Sequence, residues 1–462
     1  MTRRTILVAI SLGFALGVGS STPLLAQQKA TTVQLPSFGI SIDAAGVLKM
    51  MAFPDPGGRL MRQRALAALA NLPQDLAGPS PLRKISLRRL EAAVAERLKE
   101  GEPLDESMLY LAGLQRVKYV FFYPDEKEIV IAGPAEGWVA NLAGRVIGVR
   151  SGLPALELVD LVVALRAFPP GKRPPAMVGC SIDPNPKSLV ALRAFQQKIP
   201  RTVRQNQRAS VARKVAQGVQ QALGMADIRV FGVPSDTHFA QVLIEADYRM
   251  KLIGVGLERT PIKLPSYLDL LKSVRQGTLQ RWWFTPDYEC VKMTADHFAM
   301  ELEGQGVQLQ TEDKLILPGG GLANTRKASR ASQLFTRGFT RMYPQLAARR
   351  PIFAQLRNLI DMSVAAAFIQ QEDYYGKAGW RMETWSDERI FKVRGKPSPA
   401  MAPCVANSRW KKSRLFTPAG GGVDIHAERA LNPELVRPDK DGKLKGMRET
   451  VSKLPPKRWW WD

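Results

Sequence analysis

The residues best suited to chemistry gather at Ser235, Asp236, Thr237 and His238, between the apolar run DIRVFGV and a helical pattern. His238 is one of only three histidines in 462 residues. An imidazole exchanges a proton near neutral pH and can act as a general base. Asp183 closes an earlier apolar run, MVGCSID, and Glu258 and Arg259 follow a later one, KLIGVG. If the runs at 177–182, 228–233 and 251–256 are parallel neighbours, Asp183, Asp236, His238 and Glu258 converge outside one sheet edge. Open α/β sheets bind ligands there. Such a group would hold a divalent cation through oxygen ligands or orient a water, and Arg259 would pair with an acidic ligand. The same residues also have a plainer use. Ser, Asp or Thr at this point is what a helix N-cap needs, and Asp183 before Pro184 is an ordinary turn residue.

Other chemistries find little support. The chain has no G-x-S-x-G elbow, no H-E-x-x-H and no P-loop. Cys180, Cys290 and Cys404 lack metal-ligand spacing. One disulfide would leave an odd thiol, and Cys180, inside an apolar run, reads as a small buried hydrophobe. Glycine triplets at 319–321 and 420–422 read as loops whose backbone N–H groups can cradle an anion. No cofactor is indicated.

Several elements must position these side chains. Arg3 and Arg4, the apolar stretch 6–18 and Ala26 have the form of a secretory signal over residues 1–26. The stretch is too short for a bilayer span, so no transmembrane segment is expected there. Residues 39–175 read as an α+β domain with antiparallel hairpins at GISIDAAGVLKMMAF and RVKYVFFYPDEKEIVIAGP. Residues 176–310 alternate strand and helix, which argues a partly parallel sheet with crossover helices. Residues 325–425 are a helical and basic region, and 426–462 an irregular tail. The fold class is therefore mixed α and β.

The formal net charge is +24. Eight basic residues and no carboxylate lie between Arg326 and Arg357, with Phe335, Phe339 and Tyr343 among them. Eight more, again without a carboxylate, run from Arg389 to Arg414 and include Arg394, Lys396, Arg409, Lys411, Lys412 and Arg414, with Trp410 between. Cations interleaved with aromatics suit polyanions. The second run reads as the exposed docking segment, the first as a solvated helix face. Trp282 and Trp283 alternate across a strand, so one faces the core and the other solvent. Trp459, Trp460 and Trp461 suit a tail folded back on its own domain, since leaving them in water is costly.

The stretches VFGVPSDTHFAQVLIEADYRMKLIGVGLE, RWWFTPDYE, LRNLIDMSVAAAFIQQEDYYGKAGW, ANSRW, PAGGGV and GCSIDPNP resemble secreted planctomycete proteins classed as a domain of unknown function. The resemblance spans most of residues 85–425. It implies secretion and a shared architecture, and no reaction. The expectation is an exported or envelope-associated, non-enzymatic binding protein for an acidic polymer or a partner protein, with nucleic acid not an expected partner in that compartment. The alternative is a metal-dependent or hydrolase-like enzyme with a polar site at the C-terminal edge of the central sheet.

Overall fold

Runs of β-branched and aromatic residues, which fit a pleated and half-buried surface, build two large sheets. A computed structural model describes residues 37–199, 203–272, 277–325, 327–411, 413–450 and 458–462. The expected signal segment at 1–26 lies outside them. The larger sheet has eight strands: β1 (Val178–Pro184), β2 (Met225–Phe231), β3 (Thr278–Pro286), β4 (Val307–Ile316), β5 (Leu322–Asn324), β6 (Met401–Pro403), β7 (Val405–Lys411) and β8 (Ser413–Ile425). Their spatial order is β5-β4-β3-β8-β1-β2-β6, with β7 hairpinned onto β8. Only β3–β8 is parallel within it. The second sheet joins Ser80–Ser86, Tyr119–Tyr123 and Glu128–Ala135 to short strands at 291–293, 299–302, 437–438 and 460–461. Residues Leu35–Asp462 form one compact unit. Strands from both sides of the boundaries expected near 175, 310 and 425 share its sheets.

The fold is mixed α and β, with N-terminal hairpins and C-terminal helices. Four helices frame the core: α1 (Leu158–Ala167), α2 (His238–Gly254), α3 (Arg330–Arg349) and α4 (Pro351–Gln371). Helix α2 packs on β1 and β8, α3 on β4, and α4 against the other three helices. Helix α4 is long and apolar enough to cross a bilayer, but 94% of its most apolar window is buried in this core. Arg350 and Pro351 split the helical part of the region expected at 325–425 into α3 and α4. Proline has no N–H to donate and suits a first helical turn.

Two expectations fail in the centre. Strands β1 and β2 are antiparallel, with Asp183 opposite Asp227 and Gly179 opposite Phe231. Residues 251–254 are the last turn of α2 and not a strand. KLIGVG reads as a strand because α2 is buried all round, and an apolar run without periodicity looks the same in either structure. The helix buries charge as well. Lys251 Nζ lies 2.7 Å from Asp247 Oδ2 and donates to the Ile182 carbonyl at 2.7 Å. Both side chains are essentially inaccessible. Burial pushes the Asp247 carboxyl up to about 6, although Lys251 pulls it down.

The C-terminal region is more regular than its composition implies. Strand β8 is a central strand of the larger sheet, although its three adjacent glycines interrupt any apolar alternation. At Gly421 φ is +140°, and a Cβ there would lie 1.6 Å from the Trp282 carbonyl oxygen. Only glycine permits that approach. The final tryptophans fold back, and Trp460 and Trp461 pair with Ile85 and Lys84. The buried Arg83 guanidinium holds Asp462 through two bonds of 2.8 Å. Cys180, Cys290 and Cys404 are buried free thiols.

Candidate functional site

The antiparallel register separates the residues expected to converge. Asp183 leaves β1 at the end where β2 begins, about 13 Å along the strand from where β2 ends. There it forms a two-bond ion pair with Arg281, at 3.1 and 2.9 Å. Glu258 lies beyond the other end of α2, a 17-residue helix about 25 Å long. It bonds Arg249 at 2.9 Å, and burial raises its pKa against the pull of Arg249 and Arg350. Arg259 is exposed. The arrangement of three carboxylates and one imidazole is not assembled.

The helix-cap reading of 235–238 holds. Thr237 is the N-cap of α2, and its hydroxyl accepts from the Ala240 N–H at 3.2 Å. His238 then turns inward to the start of α1. Its Nδ1 lies 2.8 Å from Asp160 Oδ2, and its Nε2 lies 3.4 Å from Glu157 Oε1. Burial alone would lower the imidazole pKa, but Asp160 and Glu157 outweigh it and the net shift is upward. Asp236 points the other way and takes Arg394 at 2.8 Å, while Lys396 stands 3.7 Å from Glu157. The structure therefore brings together Asp236, His238, Arg394 and Lys396, and adds Glu157 and Asp160. The one signal for those two is carboxylate spacing of three residues at a helix start, in ELVD, where acids also favour the helix dipole. One donor atom from each of Glu157, Asp160 and His238 falls within 4.8 Å of the others, so these three could hold a cation. With both ring nitrogens against carboxylates, the arrangement as it stands is a histidine–carboxylate clamp between α1 and α2.

Four cations of the second basic run are paired, and Lys392 is exposed. Arg389 pairs with Asp387, Arg394 with Asp236, Lys396 with Glu157 and Arg409 with Asp269. Lys412 lies outside the described residues, as do the side chains of Trp410, Lys411 and Arg414. The first run is different. Arg337 and Arg341 are exposed on α3, and no carboxylate pairs with either among the described residues.

Those two arginines line a groove of about 570 Å³ between α3 and β4. Strand β4 supplies Gln308, Gln310 and Thr311, and α3 supplies Gln333, Thr336 and Thr340 beside the arginines. No lining residue is acidic. The Thr340 hydroxyl accepts the Leu309 N–H at 2.9 Å, so α3 closes that part of the strand edge. Thr311 Oγ1 is buried and has no hydrogen-bond partner. The volume falls in the ligand-site range, roughly 300–1,000 Å³.

A smaller hollow of about 160 Å³ lies on the solvent face of the same sheet. Ser181, Arg281, Trp283, Glu312, Gly422 and Asp424 are among its lining residues. Trp282 is fully buried under Tyr267 and Phe335, so its neighbour Trp283 presents to the opposite face. Burial raises the Asp424 carboxyl, against the pull of Arg281.

No curated protein and no solved structure matches this chain. A family model described as a protein of unknown function (DUF1598) matches residues 180–267, the segment that carries β1, β2 and α2, so the chain is similar to that family over those residues.

Proposed function

We propose that this protein is a non-enzymatic binding protein for an anionic polymer, with the groove between β4 and α3 as its site. The observation that carries the reading is the pair Arg337 and Arg341, exposed and without an ion-pair partner among the described residues, beside amides and hydroxyls in a groove without a lining carboxylate. Guanidinium groups match carboxylate, sulfate and phosphate geometry through paired N–H donors. The high net charge draws polyanions toward the surface. The expected signal at 1–26 supports a place of work outside the cytoplasm, where acidic envelope polymers are available.

The test is titration calorimetry of the full chain with polygalacturonate, at low and moderate salt. Arg337→Glu/Arg341→Glu is expected to weaken binding at least about tenfold, or about 1.4 kcal/mol, with the thermal midpoint unchanged. Affinity equal to that of the unaltered chain would reject the groove.

A second reading, a metal-dependent centre, rests on Glu157, Asp160 and His238. The buried Asp160 Oδ1 has no hydrogen-bond partner and is available to a cation. A cobalt(II) titration read by its visible absorption checks it. Tetrahedral bands that vanish in Glu157→Gln support a metal site, and their absence from the unaltered chain rejects it.

A further inference from the structure

The groove does not end at the edge of the sheet. Gln310, in its lining, is directly opposite Trp283 on β3. Trp283 is opposite Gly422 on β8, and Gly422 is opposite Ser181 on β1. Residues opposite one another in a sheet share a face. A row therefore runs from Gln310, at the lip of the groove, across Trp283 and into the trough above Gly422, on the sheet face opposite α3.

The chemistry changes along this row. At one end stand the two unpaired guanidiniums. In the middle is a half-buried indole beside a strand with no side chains at Gly420, Gly421 and Gly422. Flanking the indole are the Arg281 guanidinium and the carboxylates Glu312, on the groove-side strand opposite Arg281, and Asp424, and the Ser181 hydroxyl stands at the far end. A polyphosphate or an acidic peptide offers neither a flat C–H face to the indole nor a row of hydroxyls to donate to these carboxylates. A sugar ring offers a C–H face to the indole and hydroxyls that donate to carboxylates. Arginines at one end take the acid group of the neighbouring unit.

We infer that the ligand of this surface is an acidic polysaccharide, with one sugar ring stacked on Trp283 over Gly422 and the next unit's acid group held by Arg337 and Arg341. This rests on the groove reading above and narrows it to one ligand class.

The experiment compares oligogalacturonate with poly-L-glutamate of matched charge, on the full chain. Trp283→Ala is expected to weaken oligogalacturonate about fivefold to tenfold, the scale of one aromatic contact, and to leave poly-L-glutamate unchanged. Trp283→Phe should recover most of the loss. Ser181→Leu, which fills the trough from the solvent face, should block oligogalacturonate without lowering the thermal midpoint. If Trp283→Ala and Ser181→Leu bind oligogalacturonate like the unaltered chain while Arg337→Glu/Arg341→Glu does not, the stacking inference is overturned and the groove stands. If the arginine variant also binds normally, both fall. Equal losses toward both ligands in Trp283→Ala and Ser181→Leu would likewise overturn the sugar-specific reading.

Discussion

His238 shows how one side chain can be placed by its cap and used by its neighbours. The N-cap at Thr237 orients the first turn of α2, and that turn delivers the imidazole to Asp160 and Glu157. The folded state holds the His238 proton more tightly than the unfolded chain does. Its contribution is therefore complete below the ordinary imidazole value, about 6.5, and is lost as pH rises through the raised folded value. Glu157, Asp160 and Lys396 all face this ring, so their charges set the size of the effect. Replacing His238 with Asn should cost about 1–3 kcal/mol at pH 5.5, the scale of hydrogen bonds to charged groups, and less at pH 8.5. Urea unfolding at the two pH values checks this, and an equal cost at both would contradict the clamp. Asp236 and Thr237 were legible as cap chemistry. Glu157 and Asp160 were not, because they lie 78 or more residues away and meet His238 only in the fold.

At the scale of elements, α2 carries the least expected feature, an ion pair in the middle of the core. Asp247 and Lys251 are four residues apart on one helix face, and Lys251 also ties α2 to β1 and β8 through the Ile182 and Gly421 carbonyls. Removing one partner of a buried pair strands the other charge. Lys251→Met should cost about 3–5 kcal/mol, and Asp247→Leu with Lys251→Met should recover a large part of that. Chemical denaturation of both variants measures it, and a double variant no more stable than the single would count against a stranded-charge cost. Hairpins and amphipathic helices were readable because their periods differ. The last turn of helix α2 and strand β8 were misread for opposite reasons. The first is buried on every side, and the second is interrupted by three adjacent glycines.

Across the whole molecule, the segment similar to a known family is not a unit by itself. Strand β1 pairs on its other side with β8, at residues 413–425, and α2 packs against α4 at 351–371. A fragment of residues 180–267 should therefore lack a cooperative thermal transition, while the full chain shows one. Circular dichroism with heating checks this, and a sharp transition in the fragment would show that the long-range pairing is dispensable. Binding should also weaken steeply between 50 and 200 mM salt, as screening of a highly cationic surface requires. An affinity independent of salt would contradict a guanidinium-based site.

The sequence by itself determined the local matters: the hairpins, the cap at Thr237, the two faces of Trp282 and Trp283, and the surplus of positive charge. Each depends on neighbours a few residues apart, where period and side-chain type act directly. Only the tertiary structure decided which charges remain unpaired. Arg394, Lys396 and Arg409 found carboxylates far along the chain, while Arg337 and Arg341 found none among the described residues, and distance in sequence does not reveal distance in space.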